Sequence, residues 1–172
     1  MFVLGVDPGL SRCGYGAVTR RPDGSLAASA AGVIETDPGA PVPERLRLLQ
    51  RELTSLLAEV QPAVVVVERV FFQVNAKTAV GVCQASGLAL AAAAERGCAV
   101  AQYSANEVKQ ALVGYGNATK AQVQAMVASV LGLGTPPRPP DVADALALAI
   151  CHLSGAGLRA ALHGAVALGG GR

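Results

Sequence analysis

Four carboxylates stand out by type and position. They are Asp7, Glu68, Asp141 and Asp144. Asp7 and Glu68 each directly follow a short apolar run. A carboxylate in such a place is costly to desolvate unless a cation or hydrogen-bond donors meet it. Asp141 and Asp144 are three residues apart at the start of an apolar helical pattern, which places both on one face of a helix.

These four carboxylates predict a metal site if the chain brings them together. If the strands that end in Asp7 and Glu68 are neighbours, the two side chains lie side by side, and the helix start can close over them. Such a concentration of like charge demands a counter-ion. A set made only of carboxylates favours Mg²⁺ or Mn²⁺ over zinc. Two such ions can activate a water and stabilise the leaving oxygen of a phosphodiester.

Two of the acidic positions also have a purely structural interpretation. An acidic residue such as Asp141 near a helix N-terminus is commonly a cap. The sequence Asp7-Pro8-Gly9 is a common turn. From the residues alone both interpretations stay open, and Glu68 is the position that is hardest to explain structurally.

The first part of the chain predicts strands. Apolar strands are expected over residues 2–6 and 14–18, and a third strand reaches Ile34 after the turn Pro22-Asp23-Gly24. The short connections favour an antiparallel meander. Leucines at helical spacing between Leu46 and Val60 predict an amphipathic helix, with Pro43 in its first turn.

The rest of the chain alternates between strands and helices. The Val-rich run 63–67 is typical of a strand covered on both faces. A helix is expected over about 75–96 and a strand over 98–102. Capping boxes at Ser104 and Thr119 begin two further helices, and Pro140 begins a last one. The prediction is an α/β fold with a mixed five-stranded sheet, three antiparallel strands then parallel ones, flanked by helices.

Composition limits the class of protein. The 172 residues suit one domain, and a net charge of +2 is only weakly basic, so any nucleic-acid surface must be local. The four cysteines form no CxxC pair, and they are expected to be reduced. The N-terminus lacks a basic n-region, which favours a cytoplasmic protein. The uncharged run 78–94 is shorter than the roughly 20 residues of a membrane span and is expected to be a buried helix.

The C-terminal segment differs in composition from the rest. It is rich in Gly and Ala from Gly155 onward. We therefore expect a single domain over residues 1–154 and a flexible tail over 155–172.

Four segments in order resemble the RuvC family of Holliday-junction resolvases. They are VDPGLSRCGYG, ERVFFQVNAK, EVKQALVGYGNATKAQVQ and DVADALALAI, and the likeness runs from about residue 3 to residue 153. The resemblance implies an RNase H-like fold and a Mg²⁺-dependent endonuclease of recombination and repair. It also implies a homodimer that makes paired nicks in four-way junctions and works with RuvA and RuvB. We expect the dimer interface at the helix from Asn75 to Arg96, whose apolar character runs most of the way round. It assigns metal binding to all four carboxylates.

The resemblance also indicates residues that contact DNA. Phe71 matches the family's aromatic that stacks on a base at the crossover, and Lys109 and Lys120 match its DNA-facing lysines. Arg69 and Lys77 fall in the same segments and could hold phosphates beside the acidic site. Ordinary solvation of these two charges, and core packing of Phe71, are the structural alternatives.

Three other functions fit part of the pattern. An actin-like ATPase also begins with a strand and an Asp-Gly turn, but this chain is too short for two duplicated domains. A catalytically inactive junction-binding protein would lose carboxylates that are present here. A third possibility is another nuclease of the same fold, acting on RNA or on ordinary duplex.

Overall fold

A computed structural model describes the backbone of residues 2–70 and 76–169 and the side chains of residues 2–70 and 79–155. In chain order, the elements are β1 (Phe2–Asp7), β2 (Arg12–Arg20), β3 (Leu26–Glu35), α1 (Val42–Val60), β4 (Val64–Glu68), α2 (Ala76–Glu95), β5 (Ala99–Tyr103), α3 (Ala105–Val113), α4 (Lys120–Leu131) and α5 (Pro140–Gly169).

The five strands form one mixed sheet in the order β3-β2-β1-β4-β5. The first three strands pair antiparallel as the expected meander, and β4 pairs parallel with both β1 and β5. The predicted fold class is therefore confirmed. Because β1 and β4 are neighbours, the condition for bringing Asp7 beside Glu68 is met.

One face of the sheet is covered by α5, and we call it the α5 face. Side chains alternate along a strand, so Val3 on β1, Val18 on β2 and Val66 on β4 all pack on this side against buried residues of α5 such as Leu146 and Ile150. The same alternation continues from Val3 through Gly5 to Asp7, and from Val66 to Glu68. Both strand carboxylates therefore lie on the α5 face.

The opposite face, which we call the α1–α2 face, has a conventional apolar core. Leu4 and Val65 from the sheet meet Leu49, Leu53 and Leu57 from α1. The small side chains Ala85, Ala89, Ala92 and Ala93 of α2 complete this core. Burial of large aliphatic side chains on this side is the main apolar contribution that α1 makes to stability.

Local signals begin the helices as the sequence predicts. The capping boxes at Ser104 and Thr119 are both formed, with Glu107 and Gln122 bonding back to the cap backbone. Helix α5 begins at Pro140, as expected. These starts matter for the site, since Lys120 and Asp141 lie in the first turns of α4 and α5, and Asp144 follows in the next turn of α5.

The structure departs from expectation in α2. The helix forms, but among its described side chains Val80 is 61% exposed and Gly87 faces open space. Over residues 79–94, the helix is thus buried on one side only. No helix in the described part of the chain is long and apolar enough to cross a membrane.

The backbone stays helical beyond the predicted domain boundary. Helix α5 continues past residue 154 to Gly169. Its Ala and Leu residues favour helix strongly enough to offset the intervening glycines. The division into a domain at 1–154 and a tail at 155–172 stays a prediction.

Candidate active site

Two carboxylates are placed by the parallel pairing of β1 and β4. The strands are in register through Val6 opposite Val67. Asp7 and Glu68 follow directly, and their side chains are hydrogen-bonded to each other. The strand half of the site is therefore fixed by sheet geometry and by the alternation of side chains.

The other two carboxylates are placed by a close approach of α5 to the sheet. A side chain on Gly5 would overlap the carbonyl of Ala145, and one on Gly14 would overlap the carbonyl of Asp141. Gly14 lies opposite Asp7 in the antiparallel pair of β1 and β2. The missing side chain at Gly14 thus allows the first turn of α5 to rest beside Asp7.

Each helix carboxylate is paired with a cation. Arg12 Nε donates to Asp141 Oδ2 at 3.2 Å, and Lys120 Nζ donates to Asp144 Oδ2 at 3.0 Å. The side chains of Asp141 and Asp144 are about one-quarter exposed, at 26% and 27%. The site is therefore open to solvent at its helical side.

The electrostatics of the site are those of crowded negative charge. Burial, followed by the charges of Glu68, Asp144 and Asp141, raises the pKa of Asp7 to about 7. Burial and the charge of Asp144 raise the pKa of Glu68. The hydrogen bond to Asp144 raises the pKa of Lys120. The four carboxylates thus form one interacting group, which a cation would stabilise.

The donor chemistry fits a hard divalent ion. All four groups offer carboxylate oxygens, the ligands that Mg²⁺ and Mn²⁺ prefer. In the described residues, however, no three His, Cys, Asp or Glu side chains are already arranged as a set of metal ligands. Two of the carboxylates are instead held by ion pairs, Asp141 by Arg12 and Asp144 by Lys120.

The predicted DNA-contacting residues differ in their contacts with the carboxylates. Lys120 reaches the carboxylates directly. Lys109 lies half-buried on α3, and no contact among the described residues joins it to them. Arg69 donates to the Gln102 carbonyl at 3.0 Å and lies 3.7 Å from Glu107 Oε2, so it is held against the β5–α3 connection. Phe71 and the side chain of Lys77 lie outside the described residues.

Sequence reasoning missed two features of the site. Arg12 was not singled out, since nothing local connects it with a residue 129 positions away. The glycines at positions 5, 14 and 16 did carry a signal. Glycine at alternate strand positions indicates close approach of another backbone, and this spacing indicates which face of the sheet α5 can approach.

Comparison with known proteins decides the family. The family model described as "Crossover junction endodeoxyribonuclease RuvC" matches residues 3–152. The chain belongs to the RuvC family. A RuvC relative from Salinispora arenicola is 50% identical over 175 residues, with all of both chains covered. One from Leifsonia xyli is 50% identical over 169 residues, covering 98% of this chain and 81% of the relative.

Solved structures agree with the family. The Thermus thermophilus RuvC structure matches with a TM-score of 0.86 and 37% identity, covering 92% of this chain and 97% of that one. The same protein in complex with Holliday junction substrate gives a TM-score of 0.83 and 35% identity, covering 92% of this chain and 96% of that one. The yeast mitochondrial resolvase Ydc2, at 16% identity and a TM-score of 0.57, shares the fold.

Family membership settles the broad class of protein. The chain is an endodeoxyribonuclease of the RuvC type, as the four motifs predicted. Membership over most of the chain argues against the actin-like ATPase. It leaves the roles of individual side chains to direct test.

Proposed function

We propose that the protein resolves four-way DNA junctions by paired, symmetric nicks made at the cluster of Asp7, Glu68, Asp141 and Asp144. The observation that carries this proposal is that the strand ends at Asp7 and Glu68 meet the first turn of α5 at one end of the sheet, where burial and the charges of the other three carboxylates raise the pKa of Asp7. The Thermus relative solved with a Holliday junction supports the choice of substrate.

The four carboxylates would hold two divalent ions, Mg²⁺ in the first place and Mn²⁺ as a substitute. Bound there, the ions would supply an activated water and charge stabilisation at the leaving oxygen. Asp7 and Glu68 supply oxygens from a rigid strand end. Asp141 and Asp144 would offer the ions the carboxylate oxygens that Arg12 and Lys120 do not hold.

Basic and aromatic residues around the cluster would present the DNA. We assign Lys120 to a phosphate at the carboxylates, because its ammonium lies beside Asp144 and its side chain is 74% exposed. We assign Lys109, Arg69 and Lys77 to phosphates further along the strand. We assign Phe71 to stacking on a base at the crossover.

A homodimer would supply the two sites that paired nicking requires. Helix α2 is the proposed interface, because Val80 is exposed and Gly87 allows a close approach. Work with RuvA and RuvB is proposed from the family. A cytoplasmic location is proposed because all four cysteines are free thiols.

A substrate panel tests the activity. End-labelled mobile four-way junctions, linear duplexes and RNA–DNA hybrids of matched sequence are incubated with and without Mg²⁺. We expect Mg²⁺-dependent cleavage of the junction alone, at symmetric positions in two strands of like polarity. Equal cleavage of duplex or hybrid would indicate another nuclease of the same fold. Sedimentation at working concentration tests the dimer, and a monomer that still makes paired cuts contradicts it.

Isosteric substitutions test the metal site. Asp7→Asn, Glu68→Gln, Asp141→Asn and Asp144→Asn are expected to remove most cleavage while junction binding is kept or strengthened, because clustered carboxylates repel phosphate. Melting temperature, junction Kd in Ca²⁺ and cleavage rate in Mg²⁺ are measured for each. The cap interpretation of Asp141 predicts instead a stability loss of about 1 kcal/mol that affects binding and cleavage alike. Near-normal cleavage by two or more variants would rule out this metal site.

A further inference from the structure

Arg12 joins three elements at the edge of the carboxylate cluster. Its Nη1 donates to Glu35 Oε1 on β3 at 2.7 Å, and its Nε donates to Asp141 Oδ2 on α5 at 3.2 Å. Arg12 and Glu35 are also direct neighbours in the pairing of β2 with β3. The guanidinium therefore connects the edge of the sheet to the first turn of α5.

This arrangement contributes little to the stability of the fold. The side chains of Arg12 and Glu35 are 43% and 64% exposed, and ion pairs so open to water add little free energy. The core that joins α5 to the sheet is instead made of buried aliphatic side chains. The charges of Glu35, Arg12 and Asp141 thus call for another explanation.

We propose that Arg12 is a positioning residue for Asp141, held in place by Glu35. The proposal rests on the proposed metal site. Arg12 binds Asp141 through Oδ2, which leaves Oδ1 as the oxygen for a divalent ion. A partner that fixes the orientation of a ligating carboxylate in this way commonly determines the affinity of a metal site.

Glu35 balances the positive charge that Arg12 brings close to the proposed metal site. An unpaired guanidinium beside Asp141 would repel a divalent ion. Glu35 offsets that charge, so that Arg12 orients Asp141 with little electrostatic cost to metal binding. The planar guanidinium suits this role, since it can donate to two carboxylates in fixed directions, whereas a lysine ammonium cannot hold both in the same geometry.

Two other roles for Arg12 make different predictions. If Arg12 contacts a DNA phosphate, its removal weakens junction binding even without metal. If its charge merely competes with the metal, its removal tightens metal binding. If it positions Asp141, its removal weakens metal binding and lowers kcat, while the KM for the junction and the Kd measured without divalent ions stay unchanged.

The experiment measures Mn²⁺ binding to the full chain by the loss of the free-ion signal in electron paramagnetic resonance. The variants are Arg12→Gln, Arg12→Lys, Glu35→Gln, Asp141→Asn and the double variant of Arg12→Gln with Asp141→Asn. Arg51→Gln is the matched control, because Arg51 also pairs with a glutamate, Glu52, at 2.7 Å but on the surface of α1. Junction Kd in EDTA, melting temperature, and kcat and KM in Mg²⁺ complete the set.

We expect Arg12→Gln to raise the Kd for Mn²⁺ by about 10-fold. Glu35→Gln should raise the Kd for Mn²⁺ by a smaller factor. Arg12→Lys should give a Kd between those of the wild-type protein and Arg12→Gln. Arg51→Gln should behave as the wild-type protein does. In the Asp141→Asn background, Arg12→Gln should cause no further loss, because the two residues act through one contact.

Several outcomes would overturn the positioning role. Two concern single variants: Arg12→Gln binds Mn²⁺ as tightly as the wild-type protein or more tightly, or Arg12→Lys binds Mn²⁺ with the wild-type Kd. The other two are an additive loss of Mn²⁺ affinity in the double variant, or weaker junction binding by Arg12→Gln in EDTA. If the wild-type protein binds no Mn²⁺, or Asp141→Asn leaves binding unchanged, the metal site itself fails and the role of Arg12 fails with it. If Asp141→Asn abolishes binding and Arg12→Gln does not alter it, only the role of Arg12 fails.

Discussion

The two faces of the sheet are packed by different means. On the α1–α2 face, large side chains such as Leu49 and Leu53 fill the space between the sheet and α1. On the α5 face near the carboxylates, glycines let the backbone of α5 touch the strands. Close backbone contact leaves less freedom for adjustment than interdigitated side chains do. The α5 face thus defines where the carboxylates lie, and the α1–α2 face mainly contributes stability.

Among substitutions that leave the carboxylates in place, the largest expected effect on cleavage comes from Gly14→Ala. The added methyl would overlap the Asp141 carbonyl and displace the first turn of α5. A displacement of about 1 Å can cost roughly 100-fold in rate, beyond a stability loss of about 1–3 kcal/mol from overpacking. Ala17→Val is the matched control, since Ala17 is buried in the same strand on the α1–α2 face. It should cost similar stability by urea unfolding and leave the cleavage rate per folded molecule unchanged. Equal rate losses in both variants would remove the distinction between the faces.

A smaller effect is expected from Lys120→Gln. The substitution leaves Asp144 without its 3.0 Å partner, and we expect cleavage to fall by about 10-fold. Junction affinity should also depend less steeply on salt, by about one unit of slope. Lys109→Gln is the comparison, because Lys109 is also assigned to DNA but lies on α3. It should reduce the salt slope and leave the rate at saturating junction nearly unchanged. A rate loss as large for Lys109→Gln would place that residue at the carboxylates too.

Leu53→Ala should change stability without changing chemistry. Leu53 is 1% exposed on the α1–α2 face, and truncation of such a leucine costs about 2–5 kcal/mol. Urea unfolding should show this loss, while cleavage at a temperature where the variant remains folded should match the wild-type rate. A selective loss of cleavage in the folded variant would show that this face also adjusts the site.

The last prediction concerns the rates at which the thiols are modified, and not the rate of cleavage. Cys13 is fully buried beneath the site, and burial raises the pKa of its thiol to about 12. Because the thiolate is the reactive form, a disulfide reagent at pH 8 should modify the partly exposed Cys98 well before Cys13. Mass spectrometry of timed samples identifies the modified residue. Rapid labelling of Cys13 would mean that the sheet opens beside Asp7.

Sequence patterns were sufficient for the strand half of the site. The alternation of residues 3–7 and 64–68 places Asp7 and Glu68 on one face once β1 and β4 are neighbours. That pairing was only a condition at the sequence level, and the structure meets it. The RuvC motifs carried the remaining assignment of family and fold, which the comparisons confirm.

The helical half of the site could be anticipated only in part. The spacing of Asp141 and Asp144 indicates a shared helix face but not what the face contacts. The bridge from Glu35 through Arg12 to Asp141 depends on tertiary distance, for which periodicity has no signal. The exposed side of α2 could be anticipated only as a surface for a partner copy, since an uncharged helix has the same composition whether a partner or the core covers it.

The register of β4 has a consequence for how this gene can vary in length. Insertion of one residue between Val64 and Glu68 would turn the glutamate to the other side of the sheet, because each step along a strand reverses the face. Neutral drift by insertion or deletion of a single residue is therefore disfavoured in this strand, however conservative the inserted side chain. The hairpin turn between Arg21 and Ser25 is exposed and distant from the carboxylates. Length polymorphism among descendants of this sequence should accumulate there and not in β4.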